Sequence, residues 1–304
     1  SPGNFDVKSG VIAPRPDGPA SWSELFTDSL IRMAEKDDRI VAVTAAMLEG
    51  TMLKKFAARF PGRIYDVGIA EEHAIGLAAG LAASGLRPFV AMYSTFLQRS
   101  YDQVMHEVCL QNLPVVFALD RAGLVGEDGP THHGVFDFAY LRHLPNMTVM
   151  APSDENELAK MMALSLTLAG PSSIRFPRGR GQGIPVETPA APLPMGKARI
   201  VRDGDGPALI AIGTMLGSAL EVADLLEKEA GVKCTVVDAR FVKPLDEDLI
   251  VSLAMRCGKL VTFEEHARMA GFGSAVLETL SMRGLSTPVM HVALPDIFVE
   301  HGSL

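Results

Sequence analysis

The chain is poor in cysteine and in positive charge, and it lacks any long hydrophobic run. Its three cysteines, Cys109, Cys234 and Cys257, are widely separated and odd in number. They form no disulfide framework and no metal-ligand spacing, so they read as reduced thiols of a cytoplasmic protein, and no metal site is expected within the chain. Lys and Arg number 28 against 36 Asp and Glu, a net charge of −8. That balance argues against a general nucleic-acid or membrane-surface binder, yet leaves room for a local arginine cluster facing a phosphorylated substrate. No apolar stretch approaches the roughly 18 residues of a membrane span. The opening "SPGNFDVKSGVIAPRPDGPA" has no signal-peptide pattern and no periodicity. Residues 1–20 read as the remnant of a linker, and the chain as a piece of something longer.

What is present is ample apolar material, 48% of 304 residues, enough for roughly two domains at about 150 residues each. Strand-like runs at 39–47, 64–69, 88–93, 114–120, 147–151 and 173–176 alternate with helical patterns at 22–35, 52–60, 71–83, 97–111 and 155–169. In the fourth helix Leu97, Tyr101, Val104, Met105 and Val108 share one face at a 3.6-residue period. Ser21 with Glu24, Thr95 with Gln98, and Ser153 before acidic residues are expected N-caps. Strands such as "PVVFALD" are almost wholly apolar, as parallel strands covered on both faces should be. The pattern predicts a doubly wound α/β sheet over 21–182. A segment with four prolines, 183–196, reads as a linker. A smaller α/β domain follows over 197–304, with strands at 208–212, 234–238, 259–263 and 289–292 and helices at 216–229, 246–254 and 273–282.

Four stretches concentrate chemistry. In "RIYDVGIAEEHAIGLAAGLAASG" the carboxylates Glu71 and Glu72 start a helix. Acids there complement the helix dipole, worth about 0.3–1 kcal/mol each. The alternative is functional: Gly76, Ala79, Gly80 and Ala83 on one face allow close packing, which also suits a subunit interface. A carboxyl group leading into it is partly desolvated and can share a proton. In "AMYSTFLQRSYDQ", Tyr93, Phe96 and Arg99 fall at a strand's carboxyl end, where open α/β sheets bind ligands, although Phe96 as core and Arg99 as a solvated side chain is equally admissible. "LDRAGLVGEDGPTHHGVFD" is a long polar, Gly-rich loop after a buried strand and carries Arg121, Asp128, His132 and His133. In "SIRFPRGRGQG", Arg175, Arg178 and Arg180 either hold a phosphate or are simply solvated. "AGFGSAV" reads as a tight turn or a small anion contact.

In order and spacing, "GIAEEHAIGLAAGLA", "YSTFLQRSYDQV", "DRAGLVGEDGPTHHGVFD", "PSDENEL" and "RFPRG" resemble the C-terminal half of the 1-deoxy-D-xylulose-5-phosphate synthase family, thiamine-diphosphate enzymes of the transketolase type. The resemblance implies a pyrimidine-binding domain followed by a transketolase C-terminal domain. It implies that Glu71 hydrogen-bonds the cofactor's aminopyrimidine and so activates it, while Glu72 keeps its helix-start role. Phe96 would stack on the pyrimidine. Tyr93, Arg99, Arg121, Asp128, His132 and Arg178 would line the substrate pocket, with the arginines on the phosphate and His132 also relaying protons. The implied reaction condenses pyruvate with glyceraldehyde 3-phosphate, releases carbon dioxide, and feeds isoprenoid, thiamine and pyridoxal synthesis. The small-residue helix implies a homodimer.

The sequence departs from that family at Phe176, where Tyr is common, and at His266, where a small residue is usual. It also lacks the Gly-Asp-Gly…Asn motif that holds diphosphate and Mg2+. An N-terminal half, in cis or in trans, is therefore the expected partner and metal holder. The β subunit of a 2-oxoacid dehydrogenase, a split transketolase and a non-catalytic dimerisation module are the alternatives.

Overall fold

The computed structural model describes residues 7–11 and 18–304. The linker reading of residues 1–20 falls mostly outside them. Six parallel strands build the first sheet: β1 (Ile40–Thr44), β2 (Ile64–Asp66), β3 (Arg87–Tyr93), β4 (Val116–Asp120), β5 (Thr148–Met150) and β6 (Ser172–Arg175). Around them lie α1 (Trp22–Ala34), α2 (Lys54–Arg59), α3 (Glu71–Ala83), α4 (Ser94–Leu97), α5 (Tyr101–Gln103), α6 (Asp137–Arg142) and α7 (Glu155–Thr167). The second sheet contains β7 (Arg199–Arg202), β8 (Ala208–Ala211), β9 (Thr235–Asp238), β11 (Leu260–Ala267) and β12 (Val289–Leu294). It is flanked by α8 (Met215–Ala230), α9 (Glu247–Cys257) and α10 (Phe272–Met282).

The expected α/β alternation is present, with two antiparallel additions that the sequence reading missed. β7 pairs with β9 at the edge of the second sheet. β10 (Phe241–Lys243) crosses back to pair with β5, giving the order β10-β5-β6-β4-β3-β1-β2. Both strands are only three or four residues long, too short to show a period of two.

β4 shows why "VFALD" is apolar up to its final Asp120. Phe117 and Leu119 enter one apolar cluster, while Val116 and Ala118 enter the cluster on the opposite face. The strand is buried on both sides. The first of these clusters also takes in Ile210, Val237, Leu260 and Phe272 from the second sheet and its helices. The two sheets therefore share one core.

Local signals held unevenly. Ser21 and Glu24 form the expected capping box on α1. Asp154, not Ser153, caps α7 by accepting the Glu157 N–H at 2.8 Å. The Ser153 hydroxyl donates instead to Asp238 at 2.8 Å. Thr95 lies inside α4 and donates to the Thr131 carbonyl at 3.1 Å, so it caps nothing. The helix expected over 97–111 is broken into α4, a 3-10 turn at Gln98–Ser100, α5 and a π-helical turn at Val104–Cys109. Its apolar face survives: Leu97, Val104 and Val108 are buried, with Tyr101 and Met105 packed against the same cluster.

The small-residue stripe on α3 is only partly covered. A Cβ on Gly76 would fall 2.8 Å from a Glu107 carboxylate oxygen, and Ala79 is buried. Gly80 and Ala83 face outward, with nothing near a Cβ added at Gly80. The face of α3 that this chain does cover runs through Ala74, Ile75, Ala78, Ala79 and Ala82. No described helix is long and apolar enough to cross a membrane.

Candidate active site

The singled-out residues gather at the carboxyl ends of the first sheet's strands. Tyr93 closes β3 in register with Asp120 at the end of β4, and Leu119 is level with Arg175 at the end of β6. The chain leaves the sheet at these points and its side chains are free to converge.

Tyr93 organises the central group. Its ring stacks on Phe96 at 5.5 Å and 19°, and Phe96 meets the His132 ring edge-on at 5.4 Å. The Arg121 guanidinium lies 3.8 Å from the Tyr93 ring centroid, a cation–π contact. Arg121 also donates to the Gly50 carbonyl at 3.1 Å and pairs with Asp120 at 3.3 Å. A side chain at Gly50 would displace the Tyr93 ring, because a Cβ there would fall 1.9 Å from the Tyr93 hydroxyl. Burial raises the Tyr93 phenol's pKa, while the Arg121 charge opposes the rise. Asp120 is fully buried and accepts the Ser23 hydroxyl at 2.5 Å. Burial pushes its carboxyl up to about 6, against the pull of Arg121 and Ser23.

Arg178 and Asp128 form a second group, paired at 3.0 Å and both about a third exposed. Arg178 also donates to the Val125 carbonyl at 2.6 Å. Arg121 and Arg178 line one open cleft of about 670 Å3, together with Gly50, Lys55 and Arg180. Glu24, Asp28 and Glu49 supply the cleft's acidic wall, and Lys55 is tied to it by a 3.3 Å contact with Asp28. Sequence reading missed Gly50, Lys55 and Asp120. Only Asp120 carried a signal, as the polar end of an otherwise apolar strand.

Glu71 and Arg99 form a third group that does not line this cleft. Glu71 opens α3 and is only 4% exposed. Its Oε2 accepts no hydrogen bond among the described residues and lies 3.3 Å from an Arg99 nitrogen. Arg99 also donates to Glu72 at 3.3 Å. Glu72 is held below the usual carboxylate range, first by its own backbone N–H and then by Arg99. That fits the helix-start role assigned to it. A buried carboxylate oxygen without a hydrogen bond is an acceptor available to a ligand.

Three expectations from the sequence need correction or now have an answer. Arg175 is neither solvated nor free for phosphate: it is buried, pairs with Asp137 at 2.9 Å and donates to the Gly134 carbonyl at 2.8 Å. The Gly271–Gly273 turn does contact an anion, and the anion is the chain's own Glu264. That carboxylate accepts the Phe272 and Gly273 N–H groups at 2.6 and 2.9 Å. A Cβ on Gly271 would fall 2.1 Å from it. Burial pushes Glu264 up to about 7, with the two N–H groups opposing. His266 is a core residue, stacked on Phe138 at 5.1 Å, and burial pushes its pKa down to about 4. Of the histidine pair, His132 faces Phe96, while buried His133 accepts the Val125 N–H at 3.0 Å.

Comparison with known proteins now adds to the geometry. The family model "Transketolase, pyrimidine binding domain" matches residues 18–182, and "Transketolase, C-terminal domain" matches 196–304. The chain belongs to the transketolase family. Within that family it is 51% identical over 302 residues to 1-deoxy-D-xylulose-5-phosphate synthase of Heliobacterium modesticaldum, covering 99% of this chain and 46% of that one. It is 54% identical over 301 residues to synthase 1 of Geobacter sulfurreducens, covering 99% and 47%. The chain thus spans about half the length of these relatives and corresponds to their C-terminal half. Among solved structures, a split-gene transketolase described as an inactive beta4 tetramer superposes with a TM-score of 0.82 at 33% identity, over 92% of this chain and 91% of that one. The transketolase of Campylobacter jejuni shares the fold, with a TM-score of 0.76 at 20% identity, over 95% of this chain and 44% of that one.

Proposed function

We propose that this transketolase-family chain is the C-terminal half of a 1-deoxy-D-xylulose-5-phosphate synthase, which condenses pyruvate with glyceraldehyde 3-phosphate and releases carbon dioxide. The observation that carries the substrate choice is the cleft shared by Arg121 and Arg178. Two planar guanidinium groups facing one open space suit a phosphate that accepts from both. A 2-oxoacid dehydrogenase β subunit has no phosphorylated substrate to hold there.

Thiamine diphosphate fits the residues present. Glu71 offers a buried carboxylate oxygen with no hydrogen bond among the described residues, and an aminopyrimidine ring nitrogen, itself an acceptor, would bond it through one shared proton. When bound, the cofactor supplies a nucleophilic carbon that attacks a keto group. This chain's own share is to bind and orient. Glu71 holds the pyrimidine and shares a proton with it, Arg99 keeps the Glu71 carboxylate in place, and Phe96 presents a ring face. Tyr93 carries Arg121 on its ring. His132, half-buried and packed edge-on against Phe96, can give or take a proton at the substrate hydroxyls. Asp128 holds Arg178 until phosphate arrives.

We assign the diphosphate and its Mg2+ to an N-terminal half, supplied in cis or in trans, because the relatives are about twice this length. A split-gene transketolase of matching extent is described as an inactive beta4 tetramer, which supports the expectation that this chain needs a partner half. Outward-facing Gly80 and Ala83 on the helix that begins at Glu71 support self-association, with a homodimer as the simplest assembly. Three free cysteines support a cytoplasmic setting.

The test is reconstitution with a thiamine-binding N-terminal half, comparing glyceraldehyde 3-phosphate with unphosphorylated glyceraldehyde as acceptor. A synthase makes the five-carbon ketose phosphate and strongly prefers the phosphorylated acceptor. Indifference to the phosphate would defeat the reading, and lipoamide acylation instead would favour the dehydrogenase subunit.

A further inference from the structure

The loop at 121–136 carries Arg121, Asp128 and His132, yet a strand of the other sheet holds its neck. Gly123 and Gly134 close that neck with two backbone hydrogen bonds of 2.8 and 2.9 Å. The last residues of β11 dock against it. The Glu265 carboxylate accepts the Leu124 N–H at 3.2 Å, and the Ala267 N–H donates to the Val135 carbonyl at 2.9 Å. Glu265 Oε2 occupies the space that a side chain on Gly123 would need, since a Cβ there would fall 2.3 Å away. The Glu265 carbonyl in turn accepts from Arg175 at 3.2 Å, and Arg175 donates to the Gly134 carbonyl at 2.8 Å. One residue of β11 is therefore tied to both strands of the neck.

Arg121 needs such support. Its φ is +58°, a left-handed conformation that costs a non-glycine residue of order 1–3 kcal/mol and persists only where its surroundings enforce it. The Ala122 N–H bond to the Phe176 carbonyl at 3.0 Å and the Gly123–Gly134 pair hold the turn from one side, and three residues on the Glu265 carboxylate on Leu124 holds it from the other.

We propose that Glu265 is a positioning residue: through Leu124 it fixes the turn that aims Arg121 into the phosphate-binding cleft, so the second sheet sets the acceptor site of the first. The proposal rests on the synthase reading for its kinetic consequence, although the contact itself does not.

The test uses the reconstituted enzyme with Glu265→Ala, Glu265→Asp and Glu265→Gln. Loss of a hydrogen bond to a charged acceptor predicts a KM for glyceraldehyde 3-phosphate at least about tenfold higher in the Ala variant, with the KM for pyruvate little changed. Asp keeps the charge but withdraws the acceptor by one methylene, and carries the same expectation should Ala fail to fold. Gln keeps an acceptor oxygen and restores the KM. A purely structural residue would instead lower kcat through lost active enzyme, leave KM alone and gain nothing from Gln. That pattern, or unchanged KM in both Ala and Asp, overturns the proposal. Amide hydrogen exchange at Leu124 in the chain itself needs no turnover: slow exchange in wild type and Gln and fast exchange in Asp are expected. If the wild-type complex makes no ketose phosphate, the synthase reading fails, while the exchange result still decides whether Glu265 holds the loop; equal exchange in all variants refutes that.

Discussion

Replacing Arg178 with Ala separates phosphate recognition from folding. In the free chain Arg178 pairs with Asp128 at 3.0 Å and donates to the Val125 carbonyl. Both members of the pair are about a third exposed, so the pair contributes no more than about 1 kcal/mol. With the Val125 bond included, Arg178→Ala costs about 1–2 kcal/mol of stability in all, which lowers the unfolding midpoint by only a few degrees. A hydrogen bond to a charged group is worth about 1.5–3 kcal/mol, and giving up the Asp128 pair on binding offsets up to about 1 kcal/mol of it. The net, about 0.5–3 kcal/mol, raises KM for glyceraldehyde 3-phosphate about 2- to 150-fold. The assay is steady-state kinetics of the reconstituted enzyme with phosphorylated and unphosphorylated aldehyde, alongside thermal melts. Turnover of unphosphorylated glyceraldehyde should stay within about twofold, since it never used the contact. Equal losses with both aldehydes would place Arg178 in the scaffold, and no loss with either would remove it from the site.

Calorimetry on the chain alone should detect no thiamine diphosphate binding, because the diphosphate–Mg2+ anchor is assigned elsewhere; micromolar affinity would refute that assignment. Gly80→Arg, placed where an added Cβ has no described neighbour within 4 Å, should shift sedimentation of the isolated chain toward the monomer while leaving its circular dichroism unchanged. An unaltered oligomer would rule out this face of α3. Glu264, Asp120 and Asp238 have pKa values raised by burial to about 7, 6 and 6, above their unfolded values, so the folded state binds more protons than the unfolded one. Stability should therefore rise as pH falls from 8 to about 6.5. Below that, His266, depressed to about 4, works the other way, because the unfolded chain takes up its proton first. Glu264→Gln should flatten the rise, and a melting point that falls from pH 8 to 6.5 would contradict the burial argument.

Much of the fold was legible because the central strands β1, β3 and β4 are largely apolar and buried and the helices between them keep a 3.6-residue period. β7 and β10 were not, since three or four residues show no period and β10 is defined by pairing with a strand about ninety residues earlier. The break in the helix after Leu97 was hidden because its apolar face is conserved through the 3-10 and π turns. At the site, the arginines at strand ends were visible, but their fates were not. Arg175 and Arg178 stand three residues apart in one motif, yet one is sealed against Asp137 and the other lines a cleft. Burial of that kind depends on Gly134, Asp137 and Phe138, which no local pattern links to Arg175. The double carboxylate of "EEH" at 264–266 went unread for the same reason: its partners, Leu124 and the start of α10, come from separate elements.

The most direct test of the account is Glu71→Ala in the reconstituted enzyme, read as ketose phosphate formed from pyruvate and glyceraldehyde 3-phosphate. Wild type should be active only with both halves present, and the variant should fold, assemble and form no product. Near-normal turnover in Glu71→Ala would show that this buried carboxylate is not the group that activates the cofactor.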